Sequence, residues 1–341
     1  MRSLRVLVTG GAGYIGSHTC RLLAEQGHVP VTYDNLTTGH RWAVRWGPFE
    51  EGDLADTLRL VRTLTHEKID AVVHLAGSAY VGESMTDPAK YFRNNVLATA
   101  NLLDAMNTAG VRTIVFSSTC STYGTPATIP IVEDTPQCPI NPYGESKLMV
   151  EKMLRWHGHA YGLKWTALRY FNAAGADPSG EIGEVHEPEP HLIPLAIQTA
   201  LGQRETLAIF GDDYATPDGT AIRDFVHVTD LADAHIRAIE FLAAGGHPQA
   251  LNLATGRGHS VAAVVAAIER VSGRRILTVK APRRAGDPPV LVADPGRAAA
   301  LLGWRPRHSE LDTIVESAVR WHANQAAARG ERTAAGPLRA A

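Results

Sequence analysis

The sequence predicts an α/β fold in which a parallel sheet is covered by helices on both faces. Three observations predict it. Short β-branched-rich runs alternate with helical stretches through the first half of the chain. A glycine-rich turn joins the first run to the first helix. Past residue 176 the texture changes to a second, smaller α/β region. Strands that alternate with helices pair in parallel, because each helix carries the chain back to the starting edge of the sheet.

The elements follow in order. Arg5–Thr9 is the first strand, Gly10 to Gly16 the turn, and Ser17 to Glu25 a helix ending at Gly27. Val29–Tyr33, Ala71–His74 and Thr113–Ser117 are further strands, with helical stretches between them. Gly, Pro, Glu and His crowd Pro178–Pro194, which predicts a long loop. A helix over Leu195–Leu201, a strand near Ala208–Phe210 and a helix behind the Thr229–Asp230 cap come next. Leu251–Leu253, a helix from Val261, a strand near Ile276–Lys280 and a last helix over Leu311–Ala323 complete the smaller region.

The turn has glycines at Gly10, Gly13 and Gly16. Such a turn delivers a helix N-terminus to a pyrophosphate, and a side chain at the closest points would block the approach. Asp34, 18 residues past Gly16, ends the second strand. A carboxylate there accepts both adenosine ribose hydroxyls and repels a 2'-phosphate, which favours NAD over NADP. Gly52-Asp53-Leu54 follows the next strand and is placed to meet the adenine. The first half is therefore expected to be Rossmann-type. Residues 1–175 would bind NAD, with the sheet completed by segments near 225–255, residues 176–325 would mainly bind substrate, and 326–341 would form a flexible tail.

Ser117-Ser118-Thr119 ends an apolar strand, and Tyr143 and Lys147 are four residues apart behind a helix entry. That spacing puts both side chains on one helix face. A free tyrosine has a pKa near ~10 and is a poor base at neutral pH. A neighbouring ammonium and a positive nicotinamide ring favour its phenolate, which can take a proton from a substrate hydroxyl as hydride leaves the same carbon. Thr119 would steady that hydroxyl.

Composition excludes other classes. Lys and Arg number 33 against 35 Asp and Glu, a formal net charge of -2, which does not suit nucleic acid or an acidic membrane. Arg283-Arg284 is a local basic site. Cys20, Cys120 and Cys138 are too few and too scattered for a disulfide framework or a Cys-based zinc site. No apolar run reaches membrane-spanning length, and the expected location is the cytoplasm. Among the 15 histidines, His186 and His191 sit in the Pro-rich loop without a metal-ligand motif, so they are read as loop or substrate-side residues and no metal is expected.

From Val6 to about Pro306 the sequence resembles the extended short-chain dehydrogenase/reductase family, and within it the UDP-glucose 4-epimerase group. The resemblance rests on TGGAGYIGSHT (9–19), NPYGESK (141–147), LRYFNAAGADPSGEIGE (168–184), GDDYATPDGTAIRDFVHVTDLADAH (211–235) and PRRAGDP (282–288). It implies that Gly10, Gly13, Tyr14, Ile15, Gly16, Asp34, Asn35, Asp53 and Leu54 hold NAD. Ala76, Asn95, Ser117, Tyr143, Lys147 and Tyr170 would line its nicotinamide half. Asn172, His191, Leu192, Arg223, Arg284 and Asp287 would hold UDP, with the two arginines on the diphosphate and Asp287 on the ribose. The implied reaction is reversible inversion at C4 of a UDP-hexose through a 4-keto sugar, with Tyr143 as acid and base. Leu291 would gate the hexose pocket: leucine is intermediate between the bulky tyrosine of strict glucose/galactose enzymes and the small residues of those that accept N-acetylated sugars. Ala79 replaces a lysine of some relatives and Ala173 a proline. Thr119-Cys120-Ser121 lacks the carboxylates that a 4,6-dehydratase needs. The resemblance also implies a homodimer, formed through helices near 90–110 and 145–160.

Overall fold

A strand buried on both faces needs apolar side chains on both, and β1 (Arg5–Thr9) has them. Val6 and Val8 point into one core, while Leu7 points into the other. The computed structural model, which describes residues 2–284, 287–328 and 330, builds the rest of the sheet around this strand. The first half adds α1 (Tyr14–Glu25), β2 (Val29–Asp34), β3 (Phe49–Glu51), α2 (Thr57–His66) and β4 (Ala71–His74). It continues with α3 (Val81–Thr86), α4 (Pro88–Tyr91), a π-helical turn over Phe92–Leu97, α5 (Ala98–Ala109), β5 (Thr113–Thr119), α6 (Pro142–Tyr161) and β6 (Lys164–Tyr170). The second half holds β7 (Asn172–Ala174), α7 (Leu192–Ala200), β8 (Leu207–Phe210), β9 (Ile222–Arg223), β10 (Phe225–His227), α8 (Val228–Ala243) and β11 (Gln249–Leu253). It ends with β12 (His259–Ser260), α9 (Val261–Ser272), β13 (Thr278–Ala281), β14 (Val290–Leu291), α10 (Gly296–Leu302) and α11 (Leu311–Ala328).

The main sheet has seven strands in the order β11-β6-β5-β4-β1-β2-β3, and every pairing is parallel. One face packs Leu60, Leu102, Met106, Val150 and Leu154 of α2, α5 and α6. The other packs Leu23 of α1 with Leu231 and Ile239 of α8. The Rossmann-type sheet predicted from the sequence is thus the fold observed. Its far edge, β11, comes from within the 225–255 segment expected to complete it.

The remaining strands form small sheets around a third core. Ile193 and Ile197 of α7, Val264 and Ile268 of α9, and Ile314 and Val315 of α11 meet there. Several sequence boundaries move, among them the start of α8, which is capped by His227 and not by Thr229–Asp230. The helix expected at Leu195 starts at Leu192, so Pro194 lies in its first turn, where a missing N–H costs nothing. The first helix begins at Tyr14 rather than Ser17, taking in the last glycine of the turn. The tail expected over 326–341 is helical in its first three residues. Helix α11 runs on to Ala328 because Ala326 is buried, and most of the remaining tail lies outside the described residues.

Candidate active site

All strands of the main sheet run the same way, so Thr9, Asp34, His74, Thr119 and Tyr170 end at one edge. Open parallel sheets place their ligands outside that edge. The glycine turn lies at its centre. Gly10 has φ +71, and a Cβ on it would fall 2.7 Å from the Ala76 amide nitrogen. A Cβ on Gly16 would fall 2.1 Å from the Gly10 carbonyl oxygen, so the helix can leave the strand this closely only with glycine there. Gly13 caps α1 without a side-chain bond, which leaves the first-turn amides pointing out of the helix. This cradle fits a pyrophosphate. Tyr14 and Ile15 can offer it only their backbone, because both side chains are engaged elsewhere. The Tyr14 hydroxyl donates to the Gly175 carbonyl at 2.5 Å, and Ile15 packs into the core.

Asp34 accepts from the Ala12 amide at 3.0 Å and the Leu36 amide at 2.8 Å. Burial raises its carboxyl above the usual range, against the pull of those two amides. Each carboxylate oxygen keeps a lone pair beyond the bond it accepts. Asn35 donates to Asp53 at 2.7 Å and closes the same corner, while the Leu54 side chain is part of the core. Asp34, Asn35 and Asp53 thus fit the sugar end of a dinucleotide.

The second group stands two strands away. Asn141 caps α6 by accepting from the Gly144 amide at 2.8 Å, and Pro142 opens the helix. Tyr143 and Lys147 both face the sheet and are buried. Tyr143 lies beside Thr119, the last residue of β5. Lys147 donates to the Ser117 carbonyl at 3.0 Å, and its ammonium lies 5.9 Å from the centre of the Tyr143 ring. Ser117 also meets the Tyr170 hydroxyl.

In the chain without a nicotinamide ring beside it, burial raises the Tyr143 phenol above its ordinary value. Burial also lowers Lys147, to about 8. The ammonium is engaged with the Ser117 carbonyl. Asn95 accepts from the Ser78 amide at 2.8 Å and donates to the Ser78 carbonyl at 3.0 Å and to Ser146 at 2.9 Å. It is a strut that fixes the Gly77–Ser78 turn against α6.

Two networks behind the site have no local sequence signature. His74 bridges Thr9 at 2.7 Å and Thr99 at 2.8 Å, and burial drops it to about 3, so it is neutral. Glu151 receives Arg169 at 2.9 and 2.6 Å and Ser118 at 2.5 Å. That buried ion pair locks α6 to β5 and β6, one residue before Thr119.

The substrate-side residues gather on the second half. Arg223 is ion-paired with Asp287, so the two expected to take different parts of UDP meet each other in the free chain. The Arg284 guanidinium stacks 4.2 Å over Phe210, and Arg283 stacks 4.4 Å over Tyr214. Arg283, Arg284 and Asp287 line a cavity of about 480 Å³. Leu291 pairs in register with Arg223 and packs with Cys120 and Phe171, close behind Thr119 and Tyr170. Asn172 donates to the Asp224 carbonyl at 3.1 Å. His191 and Leu192 start α7, where His191 meets Glu184 at 2.7 Å and Glu189 at 3.0 Å. The carboxylates outweigh burial and raise His186 and His191, while the imidazoles outweigh burial and lower Glu184 and Glu189.

Comparison with known proteins decides the family. Residues 6–254 match the NAD dependent epimerase/dehydratase family. The chain belongs to that family. Within it, the chain is 50% identical to the UDP-glucose 4-epimerase of Lacticaseibacillus casei, over 96% of this chain and 100% of that protein. It is 51% identical to the UDP-glucose 4-epimerase of Rhizobium meliloti (strain 1021), over 95% and 99%. Among solved structures of the family, the Brucella ovis UDP-glucose 4-epimerase in complex with NAD superimposes with a TM-score of 0.91 at 55% identity, covering 93% of this chain and 98% of that one. The Bifidobacterium longum UDP-glucose 4-epimerase in complex with NAD+ and UDP gives a TM-score of 0.89 at 37% identity, over 94% and 98%.

Proposed function

We propose that this chain is an NAD-dependent enzyme that interconverts UDP-glucose and UDP-galactose by inverting C4, with Tyr143 as acid and base. The observation that carries the reading is the buried Tyr143–Lys147 pair on α6, with Lys147 tied to the Ser117 carbonyl, at the sheet edge that carries the glycine turn. NAD, when bound, supplies a reversible hydride acceptor at C4. Thr119 orients the sugar 4-hydroxyl, and Tyr143 takes its proton as hydride leaves the carbon. The resulting 4-keto sugar stays attached through UDP, turns its other face, and regains hydride and then the proton from Tyr143. Lys147 fixes the Ser117 carbonyl and keeps a positive charge beneath the reacting groups. Opening of the Arg223–Asp287 pair frees Arg223 for the diphosphate and Asp287 for the ribose, with Arg284 on the same wall.

The division of labour follows the fold. Residues 1–175, with β11, hold NAD, and 176–325 mainly hold the UDP-sugar. Among the described residues, no helix is long and apolar enough to cross a membrane, and we place the enzyme in the cytoplasm. We also propose a homodimer. Leu97, Met149 and Trp156 expose apolar surface on the adjoining π-helical turn and α6, and Trp156 is 69% exposed.

The test is to supply UDP-galactose to tag-free protein without added dinucleotide and follow UDP-glucose. Conversion is expected from cofactor carried through purification. Absence of product with and without added NAD would overturn the assignment.

A further inference from the structure

The loop between β7 and α7 carries four side chains that the proton and hydride transfers do not use in common: Glu184, His186, Glu189 and His191. One nitrogen or oxygen from each lies within 4.8 Å of all the others. His191 Nδ1 is 2.7 Å from Glu184 Oε1 and 3.0 Å from Glu189 Oε1. His186 Nδ1 is 3.1 Å from Glu184 Oε1 and 3.7 Å from Glu189 Oε2. A tetrahedral ion with bonds of about 2.0–2.2 Å holds its ligands about 3.3–3.6 Å apart. Three of the four separations are shorter than that spacing and open by a few tenths of an ångström to admit an ion, while the fourth, at 3.7 Å, lies just beyond it.

Two further observations point to a ligand. His186 Nδ1 is buried without a hydrogen bond of good geometry, although it faces both carboxylates. Glu184 is 5% exposed, and its charge and that of Glu189 reach Tyr14, in the first turn of α1, and Tyr80. Two buried anions need positive charge. Two imidazolium ions would supply it, and so would a divalent ion; imidazole with carboxylate is a donor set that suits zinc.

We propose that Glu184, His186, Glu189 and His191 bind one divalent transition metal ion of the zinc class, with a structural and not a catalytic role. The ion cross-links the loop to the start of α7. The loop is already tied elsewhere by Trp321 to the Glu184 carbonyl at 3.0 Å and by His40 to the Val185 carbonyl at 3.1 Å. The site therefore joins the cofactor side, through His40, to the UDP side, through His191. Each imidazole gives up its proton to bind, so uptake releases protons.

The test uses tag-free protein with its dinucleotide, stripped with EDTA, dialysed, and loaded with Zn(II) or Co(II). One zinc per chain by mass spectrometry, a raised melting temperature, and the intense visible bands of four-coordinate Co(II) are expected. His186→Asn and Glu189→Gln should each weaken zinc retention by roughly tenfold or more. Should one variant fail to fold, the other and the wild-type Co(II) spectrum still decide. Zinc well below one per chain, a pale six-coordinate Co(II) spectrum, or unchanged retention in a folded variant would overturn the site and leave the quartet as a self-neutralised ion cluster. The epimerisation assay is independent of all three outcomes.

Discussion

Tyr143 shows how much of this chemistry lives in a single atom and its surroundings. Replacing it with phenylalanine removes the proton carrier but keeps the ring packed against Tyr91. Tyr143→Phe should lower kcat by about 10²–10⁴ while UDP still binds, which steady-state rates and calorimetry would check together. The pairing with Lys147 is less direct than spacing suggests. Its ammonium belongs to Ser117, and burial brings it to about 8. The sign is set by that lowering: the lysine is cationic below about 8 and neutral above it. In cofactor-free protein one lysine should lose its charge near that pH, as followed by NMR of labelled lysines, and Lys147→Met should abolish the signal. Retention of the charge up to the ordinary lysine range would contradict the burial account. Asp34 and the three glycines were readable because each is demanded by a local backbone shape. His74 was not, since its partners Thr9 and Thr99 are 65 and 25 residues away and leave no spacing to read.

At the level of elements, the strands of the first half could be read from their apolar runs, because a strand covered on both faces has no polar side. The short β9, β12 and β14 could not. Two-residue strands carry no period, and tertiary contacts alone define them. Helix α6 gave away its catalytic face by the four-residue interval, but not its anchor. Glu151 and Arg169 meet across 18 residues in a buried pair with Ser118. Removing one partner leaves the other charged and unpaired. Glu151→Ala should therefore cost about 3–5 kcal/mol in denaturant unfolding. The resemblance assigns Leu291 of strand β14 to a gate on the sugar, which can be tested by substitution. Leu291 beside Arg223 faces the cluster that holds Cys120 and Phe171. Leu291→Ser should raise turnover of UDP-N-acetylglucosamine relative to UDP-glucose by about tenfold, and Leu291→Tyr should lower it. Equal ratios in all three proteins would remove Leu291 from the gate.

For the whole molecule, the exposed Trp156 and Met149 invite a partner copy. Trp156→Glu should shift the mass in solution from dimer to monomer, as light scattering would show. The order of the main sheet has another consequence. Strand β6 waits for β11, and the face of α1 waits for α8, yet both partners follow the loop, α7 and the small strands in the chain. A ribosome adds roughly 5–20 residues per second. For several seconds of synthesis, then, the nascent first half carries a bare strand edge and an uncovered apolar helix face. That interval is when a chaperone has most to offer this chain, and when a pause in translation just before residue 249 would do the most harm.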